Sequence, residues 1–171
     1  MNAIAKFEKV SKEQFKKDMK DQFHQQFTDD EIDKIREFLE IPRRSTVESA
    51  GYDLFAPFDF TLEPGQMITI PTGLKCHMDF GWFMMIVPRS GLGFKYGMEL
   101  MNTLAIIDSD YVFAKNDGHI LLKFENKSNA KLTINIKQGV GMAQAIFLPF
   151  GFTKDDQTEQ SRTGGFGSTG M

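Results

Sequence analysis

The chain has 171 residues and a mass of 19.4 kDa, with 41% hydrophobic and 25% charged residues. This composition predicts one soluble globular domain with a single core, and it contains no run of about 18 apolar residues that could span a bilayer. The net charge of −3 excludes a general nucleic-acid footprint. We therefore expect no direct binding of nucleic acid or membrane, and any phosphorylated ligand would need local cations or a bound metal.

The single cysteine and the N-terminal residues indicate the compartment. One cysteine excludes an intramolecular disulfide, and one cysteine with three histidines cannot form a closed zinc site. Because Cys76 lies in a run that alternates apolar and polar residues, we expect a small core residue rather than a reactive thiol. The first residues lack the apolar stretch of a secretory signal. These features predict a cytoplasmic protein, or one of the host cytoplasm if the source is a virus.

The N-terminal part of the chain predicts one strand followed by helices. Residues 4–10 alternate apolar and polar side chains, as a half-buried strand does. From residue 11 to 41 apolar residues recur at helical spacing, and N-cap signals at Ser11 and Thr28 divide the segment into two helices. Apolar helix faces usually pack on a core, so we expect packing surfaces here rather than a ligand groove.

Beyond residue 50 the pattern changes to short β-rich runs, separated by turn residues at intervals of about 8 to 12. The predicted strands cover residues 51–54, 59–62, 66–70, 74–78, 82–87, 104–107, 119–125, 132–136 and 144–150. The fold is therefore expected to be mainly β, a sandwich or barrel, and to form one domain over residues 1–152. Residues 153–171 are polar and glycine-rich, a composition typical of a free tail.

Residues 102–111 are the strongest candidate for a site. The apolar run 104–107 ends abruptly in Asp108 and Asp110, which predicts a buried strand with polar groups at its exposed end. On extended chain these two carboxylates would point to the same face, unless a turn intervenes. Taken alone, the segment is also compatible with an ordinary turn that has Tyr111 at its rim.

Five short segments now stand in a fixed order along the chain. They are residues 49–54, 88–92, 102–111, 139–144 and 162–170. Together they resemble the five motifs of the homotrimeric deoxyuridine triphosphate nucleotidohydrolases, the dUTPases. The resemblance implies a dUTPase-like β-barrel in which residues 4–10 match the family's first strand, residues 11–41 are a helical insertion, and residues 153–171 are a flexible arm carrying the last motif.

The resemblance also implies a reaction: hydrolysis of dUTP to dUMP and pyrophosphate by water attack on the α-phosphate, with Mg²⁺ held mainly by the triphosphate. Asp108 would bind the deoxyribose 3′-hydroxyl and position the water, since a carboxylate can accept both hydrogen bonds and take the water's proton. Tyr111 would occupy the space that a ribose 2′-hydroxyl needs. Asn102 and the backbone of the hairpin that follows it would bind uracil. Asp53 would reach the metal through water.

The phosphate contacts implied by the family come from the chain around Arg89 and from Gln144. Arg89, Ser90 and Gly91 resemble a phosphate-binding turn, in which glycine lets backbone N–H groups approach an anion. A plain turn is the alternative, and Arg89 could instead buttress Asp108. Gln144 taken alone is a surface amide at a strand start.

The glycine-rich arm would close over the site of a neighbouring subunit in a homotrimer, so that each site is shared between subunits. The arm residues implied in substrate binding are Arg162, Phe166, Gly167, Ser168 and Thr169. Phe166 would stack on uracil, while Arg162 and the Ser-Thr pair would contact the γ-phosphate.

The chain departs from the family pattern at three places. Arg162 lies four residues before Phe166 rather than five, residues 112–114 replace the common Arg/Lys-Gly-Glu, and Gly141 stands where an arginine is frequent.

Two alternative functions stay open: a dCTP deaminase of the same fold, although no segment clearly supplies its catalytic glutamate, or a nucleotide-binding protein that engages a regulator. For residues 11–41 two roles stay open, a surface for a protein partner and the bracing of subunits.

Overall fold

A computed structural model describes residues 2–128 and 131–159 of the chain. The helices are α1 Lys12–Phe23, α2 Asp29–Phe38, α3 Ser90–Tyr96 and a 3₁₀ helix at Ser109–Phe113. The strands are β1 Ala5–Lys9, β2 Arg43–Arg44, β3 Tyr52–Phe55, β4 Phe60–Leu62, β5 Met67–Pro71, β6 Leu74–Met78, β7 Trp82–Pro88, β8 Met98–Leu100, β9 Ala105–Asp108, β10 Leu121–Asn126, β11 Ile134–Ile136 and β12 Gly141–Pro149.

The largest sheet has the strand order β2-β3-β12-β7-β9, and every neighbouring pair in it is antiparallel. Smaller sheets with the orders β5-β10-β8, β1-β6 and β11-β4 pack around the same core. The centre of this core is formed by large side chains, among them Leu54, Ile70, Met84, Ile86 and Phe124. The prediction of a mainly β fold is confirmed.

Each predicted strand is present, with its ends shifted by up to three residues. The sequence missed β2 and β8 because two or three residues are too few to show alternation. It also missed α3, whose two glycines weaken any helical signal. That helix ends at Gly97, which adopts φ +67° and donates its N–H to the Gly93 carbonyl oxygen, a left-handed C-cap that glycine tolerates without strain.

Both predicted N-terminal helices are present. Ser11 Oγ accepts the N–H of Gln14 at 3.2 Å, and Thr28 forms a complete capping box with Glu31, as predicted for the division at residue 28. Phe15 and Met19 of α1 and Ile32 of α2 are fully buried in the common core. The apolar faces of the helices are therefore packing surfaces.

Gly73 marks the closest approach between the helices and the β structure. Its φ of +72° is a left-handed conformation, and a Cβ there would overlap Leu39 Cδ1 and lie 3.2 Å from Phe15 Cε2. The chain between β5 and β6 can therefore pass under the helices only as glycine.

Candidate active site

Strand β7 separates the predicted site residues into two groups. Arg89 follows Pro88, the last residue of β7, whereas Asp108 pairs with Phe83 near the start of β7. At about 3.4 Å per residue, Phe83 and Pro88 are on the order of 17 Å apart. An arginine side chain cannot cover that distance, so the alternative in which Arg89 buttresses Asp108 is wrong within one protomer. We call the two groups the Arg89 end and the Asp108 end.

At the Arg89 end the sheet register brings three predicted residues together. Asp53 on β3 pairs with Gln144 on β12. Asp53 Oδ1 lies 3.4 Å from Arg89 Nε, and Ser45 Oγ donates to Asp53 Oδ2 at 2.9 Å. The ion pair is long, and because the Arg89 side chain is 43% exposed, water can reach it. A cation, a carboxylate and an amide thus share one face.

Two glycines make room for these side chains. A Cβ on Gly51 would overlap Gln144 Oε1, and a Cβ on Gly141 would overlap Arg89 Nη1 and lie 3.0 Å from Arg89 Cδ. Gly141, one of the departures from the family pattern, therefore provides the space that Arg89 occupies. No local pattern in the sequence indicates this contact, because Gly141 begins β12 whereas Arg89 lies far from it in sequence, between β7 and α3.

Ser90 and Gly91 form the exposed first turn of α3. Leu92 and Gly93 donate their N–H groups to the Arg89 carbonyl oxygen at 3.0 and 3.1 Å, which shapes this turn. A Cβ on Gly91 would meet open space. An anion could therefore approach the turn closely beside Arg89.

At the Asp108 end the chain turns sharply. Asp108 is the exposed last residue of β9, and the 3₁₀ helix begins at the next residue. The extended arrangement that would have aimed Asp108 and Asp110 at one face is therefore wrong, because a turn intervenes. Asn102 is exposed and lies between β8, which pairs with β10, and β9, which pairs with β7. The predicted hairpin is instead a connection between two sheets, with Thr103 at φ +63°.

Tyr111 is buried, with only 5% of its surface exposed, so the alternative of a rim residue is wrong. Its hydroxyl donates to the His119 carbonyl oxygen at 3.0 Å and accepts a hydrogen bond from Asn116 Nδ2 at 2.8 Å. Asn116 Nδ2 also lies 3.1 Å from the His119 carbonyl oxygen. The position of the phenol ring is thus set by two neighbours.

His119 is fully buried and connects this end to helix α1. Gly73 donates its N–H to His119 Nε2 at 2.8 Å, and a backbone N–H can only donate, so the proton of the ring is on Nδ1. Nδ1 lies 2.5 Å from Asp18 Oδ2, which also accepts from Gln14 Nε2 at 2.8 Å. Burial raises the pKa of Asp18, but the hydrogen bonds from His119 and Gln14 outweigh it, and the pKa is lowered overall.

Sequence reasoning did not find Asp18, Asn116 or His119. Asp18 and His119 are 101 residues apart, and the local patterns explained Asp18 as part of a helix and His119 as the start of a strand. The signal that could have raised the question is Asp18 itself, a charge beside Met19 on the apolar side of α1.

Cys76 is 2% exposed, and burial raises the pKa of its thiol to about 12. This confirms the prediction of a core residue. Within residues 2–128 and 131–159, no cluster of three or more His, Cys, Asp or Glu side chains could hold a metal ion. Among the helices of that same part of the chain, none is long and apolar enough to cross a membrane.

The last predicted motif lies outside the described residues. This applies to Arg162, Phe166, Gly167, Ser168 and Thr169. Residues 151–159 are exposed and contain neither helix nor strand, which agrees with the tail composition.

Known proteins resemble this chain in sequence and in fold. The dUTPase family model matches residues 38–170. The deoxyuridine 5′-triphosphate nucleotidohydrolase of Lactococcus lactis is 38% identical over 135 residues, which cover 77% of this chain and 89% of that protein. The protein of the same name from Pseudomonas entomophila is 41% identical over 138 residues, covering 76% and 87%.

Two solved structures are similar as well. The dUTPase of Streptococcus mutans has a TM-score of 0.60 at 32% identity and covers 66% of this chain and 88% of its own. The dUTPase of phage phi11 of S. aureus has a TM-score of 0.63 at 19% identity and covers 93% and 97%, a likeness of fold alone.

The family match begins at the last residue of α2, so β1 and α1 precede it, and the reading of residues 11–41 as an insertion stays a prediction. The match contains all five segments that the sequence singled out. With most of the chain matched and relatives above 30% identity over most of their length, this chain belongs to the dUTPase family.

Proposed function

We infer that this chain hydrolyses dUTP to dUMP and pyrophosphate, a reaction that limits uracil incorporation into DNA and supplies dUMP for dTMP synthesis. The observation that carries this conclusion is the family match over residues 38–170, together with relatives that are named for this hydrolysis. The roles of individual residues, the metal and the assembly are proposals, each supported by the geometry as follows.

At the Asp108 end we propose that the nucleoside binds. Asp108 carries an exposed carboxylate, which can accept a hydrogen bond from the 3′-hydroxyl and from the attacking water and can take the proton of that water. Tyr111 would lie against the deoxyribose and exclude a 2′-hydroxyl. Asn102 and its neighbouring backbone, exposed between two sheets, would bind the uracil edge.

At the Arg89 end we propose that the phosphates bind, through Arg89, Ser90, Gly91 and Gln144. An ion pair of 3.4 Å with a half-exposed arginine contributes little stability, so Arg89 can turn from Asp53 to a triphosphate at low cost. The exposed hydroxyl of Ser90 and the open space beside Gly91 suit the oxygens of a phosphate.

The family implies Mg²⁺, and the donor set fits a metal held mainly by the substrate. Asp53 is the single carboxylate in the Arg89 group, and its two oxygens are shared with Arg89 and Ser45. One such carboxylate suits a water-mediated contact, because Mg²⁺ usually keeps several waters and binds substrate phosphates. When bound, the metal would neutralise negative charge on the triphosphate.

The separation of the two ends supports a site shared between subunits. Triphosphate attached to a nucleoside must reach both ends, yet β7 holds them on the order of 17 Å apart in one protomer. Around them Ile106, Phe94 and Phe113 expose apolar surface, Phe94 to 96%. A homotrimer would cover such surface and could place the Asp108 end of one subunit beside the Arg89 end of another.

Complementation between two variants tests this sharing. Arg89→Ala and Asp108→Asn should each be nearly inactive as pure trimers. If the two ends come from different subunits, co-expression in equal amounts should restore about a quarter of wild-type activity. The reason is that each site receives an intact Arg89 end from about half of the subunits and, independently, an intact Asp108 end from about half of them. Absence of any recovery in mixed trimers, with trimer mass verified by light scattering, would place the site within one subunit.

The arm, residues 153–171, is proposed to close over a neighbouring site, with Phe166 on uracil and Arg162 on the γ-phosphate. Support comes from the family match, which extends to residue 170. Truncation after Lys154 should leave a folded trimer with severely reduced turnover. Full activity of the truncated chain would exclude a role for the arm.

Substrate selection tests the reaction itself. We expect pyrophosphate release from dUTP with Mg²⁺ and far less from dTTP, UTP or dCTP. Release of ammonia from dCTP would favour the deaminase of the same fold, and tight dUTP binding without turnover would favour the regulatory binding protein. We place the activity in the cytoplasm, where reducing conditions suit a buried free thiol.

A further inference from the structure

Helix α1 is joined to the Tyr111 hydroxyl by a continuous set of buried hydrogen bonds. Asp18 binds the His119 ring at 2.5 Å, and the carbonyl oxygen of the same histidine accepts the Tyr111 hydroxyl at 3.0 Å. Asn116 closes the set through its contacts with both the hydroxyl and that carbonyl oxygen. The function proposed above uses none of Asp18, Asn116 and His119.

The loop between the 3₁₀ helix and β10 is held to the N-terminal region at a second point. Asp117 Oδ2 accepts the N–H of Ser11, the N-cap of α1, at 2.7 Å. Asp117 Oδ1 lies 2.7 Å from Lys75 Nζ on β6. This loop carries both partners of the Tyr111 hydroxyl. It is therefore held at two points of α1, by the N-cap Ser11 and by Asp18 on the buried face of the helix.

The orientation of Asn116 follows from chemistry. The His119 carbonyl oxygen can only accept, so the amide nitrogen, not the amide oxygen, must face it. That nitrogen then also donates to the Tyr111 oxygen, which in turn donates to the same carbonyl. Each donor has an acceptor, and a shift of the ring would break two hydrogen bonds at once.

We propose that Asp18, His119 and Asn116 are positioning residues for Tyr111, so that helix α1 takes part in selecting deoxyribose over ribose. This inference rests on the proposed dUTP hydrolysis. Exclusion of a 2′-hydroxyl requires a ring that does not yield when the larger sugar enters. Asp18 holds the His119 side chain, and the carbonyl oxygen of the same histidine holds the Tyr111 hydroxyl, which resists displacement of the ring.

The test measures kcat/KM for dUTP and for UTP in purified full-length variants. Asp18→Ala removes the acceptor of His119 Nδ1, whereas Asp18→Asn keeps an oxygen that can accept from both His119 and Gln14. Asp21→Ala is the matched control, an exposed aspartate one turn along the same helix whose partner is Lys17. Asn116→Leu removes the donor to Tyr111 while it keeps the number and branching of the side-chain heavy atoms, and it serves if Asp18→Ala does not fold.

We expect Asp18→Ala and Asn116→Leu to lower the dUTP/UTP ratio by roughly five- to tenfold, the factor set by one hydrogen bond. Asp18→Asn should restore most of the ratio, and Asp21→Ala should equal wild type. In a cycle with Tyr111→Phe, the effects should not multiply, because both changes remove the same constraint.

An unchanged ratio in both Asp18→Ala and Asn116→Leu, or effects that multiply with Tyr111→Phe, would overturn the proposal. Failure of the wild-type chain to hydrolyse dUTP would instead overturn the proposed function. The two failures are therefore distinguishable in one set of assays.

Discussion

The two ends of β7 hold their candidate site residues in opposite ways. At the Arg89 end, a half-exposed guanidinium makes one ion pair of 3.4 Å and rests over a glycine. At the Asp108 end, the Tyr111 ring is buried, and both functions of its hydroxyl are satisfied within 3.0 Å. Arg89 can therefore change its conformation at little cost in free energy, whereas the Tyr111 ring cannot.

This difference suits the two halves of a nucleoside triphosphate. A triphosphate is a charged chain with many oxygens, so an adaptable cation can follow it during binding and release. Choice between sugars depends on a single hydroxyl, and a steric choice needs a rigid wall. Helix α1 is bonded to the loop behind the Asp108 end through Asp18 and Ser11, which gives these N-terminal residues a structural link to the candidate site.

The first test of this comparison concerns Asp108, the exposed residue at the Asp108 end. We expect Asp108→Asn to reduce kcat for dUTP by roughly 10² or more, because the amide cannot take a proton from water. The melting temperature should stay close to that of wild type, since Asp108 is exposed. Near-normal turnover of this variant would show that another group activates the water.

The packing of the N-terminal helical region on the β structure is tested by Gly73→Ala. The added methyl meets Leu39 and Phe15 in a left-handed backbone, so we expect a loss of about 2–4 kcal/mol in the free energy of unfolding by urea. Gly65→Ala is the matched control, with φ +78° and no atom within 4 Å of the new methyl. It should cost about 1–2 kcal/mol from backbone strain alone. Equal losses would mean that Leu39 and Phe15 do not obstruct a methyl group at position 73.

The freedom of Arg89 to move is tested by Gly141→Ala at the Arg89 end. The methyl would displace Arg89, and we expect kcat/KM for dUTP to fall roughly tenfold, with a change in unfolding free energy below about 1 kcal/mol. In the background of Arg89→Ala the same change should have almost no effect. A tenfold fall in that background would show that Gly141 serves another purpose than room for Arg89.

The smallest effect concerns pH. Because the pKa of Asp18 is lowered in the folded protein, its contribution to stability is present above the unfolded pKa, about 3.9, and is lost as pH falls through the lower folded value. We expect Asp18→Asn to cost about 1 kcal/mol at pH 6, measured by urea unfolding, and this cost to shrink as pH falls through the folded pKa of Asp18. A cost that does not change with pH would mean that the pKa of Asp18 is the same in the folded and unfolded states.

Much of the fold and of the site could be read from local patterns. The strands were found because one face of each is buried, which leaves alternation in the sequence, and the two helices were found from their spacing and from the caps at Ser11 and Thr28. The five motifs identified the family because each is a short segment whose residue order is itself distinctive. Local order also selected Asp53, Arg89 and Gln144 as candidates, and the structure brings these three residues together.

Only the tertiary structure decided how these parts meet. The register along β7 puts Arg89 and Asp108 at opposite ends of one strand, a relation that depends on which residues pair across strands and leaves no local trace. The same holds for Arg89 over Gly141 and for Asp18 bound to His119, 101 residues away. Sequence determined which groups are available for catalysis, because their chemistry is local. Their distances were decided by packing, because every contact between distant segments depends on the whole core.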